Sequence, residues 1–158
     1  MAFQREIKPG DEISSAWWPE SVEASDATQI SNITSTSFTP GSPEVGVQFT
    51  SARTGRAAVC VSAGMFEQSA GDRLFVSFEV YEGEDATGTL VASAKVGFGI
   101  STHGDTTAGG SSEMVHGNMA MIENLTPGVT HYARMVHAVD GGTTNDVRQR
   151  RITVIPMP

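Results

Sequence analysis

The chain has 158 residues, of which 39% are hydrophobic and 7% aromatic, with 17 glycines; this suits one domain of short strands and many turns rather than a helical bundle. Its 10 Lys and Arg face 18 Asp and Glu, for a formal charge of −8, the wrong sign for a protein whose affinity comes from neutralising phosphates, so nucleic acid is excluded as a direct partner. The single cysteine, Cys60, excludes an intrachain disulfide and fits folding in a reducing cytoplasm, and no apolar run approaches the ~20 residues a membrane helix needs.

The opening stretch, Met1 to Gly10, has no apolar h-region, so no signal peptide is expected. Residues 1–43 are polar and rich in Ser, Thr, Asp and Glu. Their large apolar groups, Phe3, Ile7, Ile13, Trp17, Trp18, Ile30, Ile33 and Phe38, follow no sustained helical spacing, although Glu20 to Ala27 has room for a short turn. This reads as an extended N-terminal arm that becomes ordered by lying on something else. Forty extended residues reach at most about 130–145 Å. Both tryptophans of the chain sit together in it. They either cap the open end of the domain's own core or anchor the arm in a partner's pocket.

From Glu44 the period becomes two. Val45, Val47 and Phe49 alternate with Gly46, Gln48 and Thr50, and Ala57, Val59 and Val61 with Ala58, Cys60 and Ser62. Leu74, Val76, Phe78 and Val80 form one face of the next run. Further strands are expected over 89–96, 113–124, 131–140 and 147–155, with turns at Arg53-Thr54-Gly55, Ser69–Asp72, Glu82–Gly88 and Asp140–Thr143. About seven such strands predict an all-β antiparallel sandwich over residues 44–158. The last strand breaks the pattern, because Arg148 and Arg150 share parity with the apolar Ile152 and Val154. Either a β-bulge near Arg150-Arg151 or an edge position repairs this. Arg148, Arg150 and Arg151 are also candidates for pairing with a neighbouring subunit's carboxylates.

No constellation for catalysis emerges. His131 and His137 face the same way on one strand but stand ~20 Å apart, too far to share an ion. His103-Gly104-Asp105 lies in a Gly, Ser and Thr-rich stretch, Gly97 to Ser112, too loose to preorganise ligands. There is no Gly-x-Ser-x-Gly elbow and no phosphate-binding loop. Cys60, between two valines, reads as a small buried hydrophobe. Glu82, Glu84 and Asp85 read as a solvated turn and lack the alternating ligands of a calcium loop. No enzyme, metal or cofactor is expected.

Leu125-Thr126-Pro127-Gly128-Val129-Thr130-His131-Tyr132 resembles the E–F corner of fibronectin type III-like sandwiches, with Tyr132 one residue later than the family's tyrosine and His131 in its place. Over residues 40 to 158 the chain is similar to small accessory virion proteins of tailed phages infecting actinobacteria. Pro43 to Phe49, Gly55-Arg56-Ala57, Glu79 to Gly83 and the ending Arg151 to Pro156 carry that similarity. It implies a structural protein of the virion surface, assembled in the host cytoplasm as a homo-oligomer, commonly a trimer. The first expectation is a capsid decoration or head-fibre protein whose arm docks on the major capsid protein through Phe3, Ile7, Ile13, Trp17 and Trp18. The second is a minor tail or tail-fibre component contacting host glycans, and the third a free carbohydrate-binding module.

Overall fold

A computed structural model describes residues 20–67, 72–102, 113–141 and 145–158. These residues form eleven strands: β1 (Val22–Asp26), β2 (Ile30–Ile33), β3 (Thr39–Pro40), β4 (Gly46–Thr50), β5 (Arg56–Glu67), β6 (Leu74–Glu82), β7 (Thr89–Ala92), β8 (Ile100–Ser101), β9 (Glu113–Ile122), β10 (Thr130–Val139) and β11 (Asn145–Met157). A 3-10 turn, Val96–Phe98, lies between β7 and β8. All seven strands expected from alternation are present, although the one expected over 89–96 ends at Ala92 and Val96 enters the 3-10 turn, and four short strands join them.

The strands make two antiparallel sheets. The first has the order β1-β11-β5-β9, with β2 also beside β11; the second has β3 and β4 on one side of β10, then β6, then β7 and β8. Both sheets turn one parity inward. Ala57, Val59, Val61, Ala63 and Met65 of β5 meet Leu74, Val76, Phe78 and Val80 of β6 in the interior. Ile152 and Val154 of β11 and Ala133 and Met135 of β10 complete the layer. Phe78 stacks on Phe98 at 5.3 Å between ring centres, which brings the 3-10 turn onto the core. Alternating small and large side chains let the sheets interdigitate at the ~10 Å separation of a sandwich.

The boundary expected at residue 43 moves upstream. Val22 to Asp26 pair with Val154 to Arg150, Ile30 and Ile33 pair with the start of β11, and Thr39 and Pro40 pair with His137 and Val136. The physical reason is alternation: Val22 and Ala24 pack against the core while Glu23 and Ser25 face out. The short turn expected over Glu20 to Ala27 is therefore a strand. Phe3, Ile7, Ile13, Trp17 and Trp18 lie outside the described residues.

Turn chemistry holds the ends. Gly55 sits at φ 66 and donates to the Ala52 carbonyl at 3.0 Å, while its own carbonyl accepts from Leu125 at 2.9 Å. A β-carbon there would stand 2.5 Å from the Leu125 oxygen, so both conformation and space require glycine. Truncating Phe78→Ala, fully buried in the native fold, is expected to cost about 3–5 kcal/mol in urea unfolding. Ile155→Ala, on the outer face, should stay within about 0.5 kcal/mol of wild type.

Candidate interaction surface

The three arginines of β11 have different fates, decided by a bulge. Opposite β5 the register runs Arg148↔Gly64 and then Arg151↔Ser62, so β11 carries one extra residue between them. Gln149 takes φ 50, the left-handed conformation of such an insertion. The bulge turns Arg148 outward, where it lies over the Phe66 ring at 4.7 Å and pairs with Glu113. Arg151 is also outward, 3.7 Å from Glu23. Arg150 remains inward and is 2% exposed. The edge alternative does not apply, since β11 is flanked by β1 and β2 on one side and β5 on the other. Each of the three arginines, considered for pairing with a neighbouring subunit, has a carboxylate partner in its own chain.

Arg150 is held by Asp26 at 3.1 Å and by the Pro43 carbonyl at 2.8 Å. Desolvation works against the ionised Asp26, yet hydrogen bonds from Thr28 and the Arg150 charge keep its carboxyl below the ordinary range. A β-carbon on Gly41 would collide with the guanidinium and with Ile30, so glycine makes room for the buried charge. His137 is 7% exposed in the same region. Burial first, and then the Arg150 charge, push its imidazole down to about 4. One aspartate, one arginine and one neutral histidine thus converge, an ionisable group that sequence reading did not anticipate. They lock β1, β10 and β11 together.

His131 faces the core, stacked on Phe49 with ring centres 5.4 Å apart. Its Nδ1–H donates to the Val129 carbonyl at 2.9 Å, leaving Nε2 3.9 Å from the Glu82 carboxylate. Tyr132 points the other way, and its hydroxyl donates to Glu44 at 2.6 Å rather than to the backbone of the corner. The resemblance to a fibronectin-type corner therefore covers the turn before β10 but not its tyrosine. Asp85 accepts from the Thr87 amide and hydroxyl at 2.8 and 2.6 Å, closing the β6–β7 hairpin as a turn. His103 and Asp105 lie outside the described residues, as does most of the loop around them. Among the described residues no group of three His, Cys, Asp or Glu is placed to hold a metal ion.

The two outer faces differ in kind. On the second sheet, Arg134 bonds Glu79 at 2.9 Å and Glu44 at 3.0 Å and also donates to the Tyr81 hydroxyl at 2.9 Å. Desolvation and the neighbouring carboxylates push both tyrosine hydroxyls up. That network is internally satisfied, while Leu90, beside Tyr81 on β7, is 46% exposed next to it. On the first sheet, cross-strand rows place Ile155 beside Ala58 and Met121, and Thr153 beside Cys60 and Met119. Small side chains along β5 form the floor of a shallow groove of about 440 Å³ between β11 and β9. Cys60 opens into it and is half-buried, which corrects the expectation of a core position; its valine neighbours face inward, so strand alternation itself sends Cys60 outward. Val115 and Met119 are 66% and 59% exposed. Arg151–Glu23, Arg148–Glu113 and Arg56–Glu123 lie around this apolar centre as compensated pairs. An apolar centre with a polar rim is the anatomy of a protein-binding surface.

No family model matches the chain, and no curated protein matches it in sequence. Solved structures match it in fold. VP2 of infectious bursal disease virus, in its subviral particle, matches with a TM-score of 0.50 at 15% identity over 86% of this chain. The chain spans about a third of VP2, 32% of its length. The enzymatically active domain of tailspike protein 4 from bacteriophage CBA120 gives 0.40 at 9% identity, over 84% of this chain and 19% of that one. The C-terminal CBM6 of LamC, a laminarinase from the marine Zobellia galactanivorans, gives 0.31 at 10% identity, over 80% and 99%. The VP2 match establishes a shared sandwich fold, and fold alone does not assign function.

The depressed His137 sets a pH dependence. The unfolded chain takes up this proton below the ordinary value of 6.5, the folded chain only near 4. Stability therefore falls as pH drops through that window, by on the order of 2–3 kcal/mol. Urea titrations between pH 7 and 4.5 should show this slope in the wild type and its loss in His137→Gln; an equal slope in both would count against the assignment.

Proposed function

We propose that this chain is a non-enzymatic structural protein of a virion, most specifically a capsid decoration or head-fibre protein of a tailed phage. Its sandwich projects from the particle, and the segment before β1 docks on the major capsid protein. The observation that carries this reading is the distribution of apolar surface. Among the described residues the inward parity of both sheets is consumed in closing the sandwich, and large apolar side chains such as Val115 and Met119 stay exposed on the outer face of the first sheet. Upstream of Glu20 the sequence still offers Phe3, Ile7, Ile13, Trp17 and Trp18, residue types that dominate interfaces when buried in a partner.

Fold supports the same class. VP2 carries this sandwich within a subviral particle, so the architecture is one that works packed in a viral shell. At about 25 cal/mol per Å², two buried indoles contribute several kcal/mol before ordering costs, and several arms acting from one oligomer add avidity. The trimer implied by resemblance is one such oligomer.

Copy number in purified particles of the encoding virus tests the proposal. Gel densitometry should find hundreds of copies per particle for a decoration protein. A handful would move the protein to the tail, and none would remove it from the virion. Replacing Trp17→Ala and Trp18→Ala should weaken rebinding to particles lacking the protein by about thirtyfold or more for each anchor worth ~2 kcal/mol, while the melting temperature of the sandwich is unchanged. Undiminished rebinding would contradict docking through these residues.

A further inference from the structure

The edge of the first sheet points to a pairwise self-association, different from the trimer that resemblance implies. β9 is the terminal strand of its sheet, and among the described residues it pairs only with β5, in an unbroken register from Glu113↔Phe66 to Ile122↔Ala57. Sandwich proteins ordinarily blunt such an edge with Lys, Pro, a bulge or a very short strand. β9 has none of these. From Met114 to Ile122 it contains no Lys, Arg, Asp, Glu or Pro. Its one acidic residue, Glu113, is neutralised by Arg148. Residues of both parities, Val115, His116, Gly117, Asn118 and Met119, are exposed.

We infer that β9 is a dimerisation edge, taking β9 of a second copy of this chain antiparallel across a twofold axis. Three observations favour a second copy over an unrelated strand. The chain carries −8 overall, so identical molecules repel one another except along an uncharged contour, and β9 supplies one. A twofold axis through Gly117 sets identical glycines face to face, where no side chain obstructs approach. The same axis places Val115 opposite the partner's Met119 on the outer face and His116 opposite the partner's Asn118 on the inner. The exposed Val115 and Met119 then bury each other, and the apolar face runs continuously across both subunits. Asn118 already donates to the Gly99 carbonyl at 3.0 Å, which ties the inner side of β9 to its own subunit and leaves the outer backbone edge for the partner.

Size decides the strength. Ten residues at ~3.4 Å each make an edge ~34 Å long, and at ~10 Å depth the contact covers roughly 340 Å² per partner. That is under half of the ~800 Å² of a standard stable interface, so the dimer is reversible, with Kd in the micromolar range or weaker. It becomes dominant where local concentration is high, as on an assembled surface. The inference does not depend on the virion role and is read in solution.

Sedimentation equilibrium of the full chain from about 5 to 500 µM tests it. The wild type should pass from monomer towards dimer. Met119→Lys should weaken the association at least tenfold by placing a cation against the partner's strand, while Ile155→Lys, on the same apolar face but away from the edge, should not. Circular dichroism and melting confirm that each variant is folded. Independently of those variants, Gly117→Cys in a Cys60→Ser background should form a disulfide-linked dimer on mild oxidation, since paired strands hold their Cα atoms at bridging distance. A monomer throughout the range, a trimer, or an association abolished by Ile155→Lys but not by Met119→Lys would overturn the inference.

Discussion

Everything in this molecule is arranged around β11. It is the strand to which β1 and β2 attach on one side and β5 on the other, and its sequence places arginines in register with the core residues Ile152 and Val154. An arginine in an apolar layer is costly unless its charge is matched. The chain matches the two charges in different ways, although the buried Nε of Arg150 has no hydrogen-bond partner among the described residues. A bulge at Gln149 rotates Arg148 out to Glu113, and the N-terminal strand delivers Asp26 to Arg150. The second solution makes β1 integral to the sandwich, because removing it would leave a buried guanidinium without its counter-charge.

That constraint also shapes function. Asp26, Arg150 and His137 are convergent and ionisable, which in another setting would suggest chemistry. Here the guanidinium is closed in by the Pro43 carbonyl and the Gly41 backbone, and the histidine is kept neutral by burial. The group acts as a clasp between the sheets. Among the described residues, the outer face and edge of the first sheet offer apolar side chains with compensated charges at the rim, and the proposed structural role would use them.

The strands with strict alternation were legible from residues alone, because period two survives wherever one face is buried. The N-terminal strands were not. Val22 and Ala24 are only two apolar residues in a polar stretch, and their pairing depends on an acceptor strand more than a hundred residues away. The bulge was readable as a conflict of parity, but not its outcome: only the partner at Asp26 explains why Arg148 is expelled and Arg150 retained. Cys60 was misplaced although the signal was present, since residues adjacent in a strand cannot share a face. His131 carries no local sign of its place against Phe49, because that contact joins β4 and β10. The apolar outer face was likewise hidden, being assembled from single residues on separate strands.

The central claim is that β1 belongs to the sandwich and is held there by β11. Amide hydrogen exchange resolved along residues 22–26 tests it most directly. The amides of Val22 to Asp26 that face β11 should exchange in the same slow class as those of Ile152 and Val154. Exchange of β1 at free-peptide rates, with β5 and β11 still protected, would show that the N-terminal strand is an arm after all and that Arg150 finds its charge elsewhere.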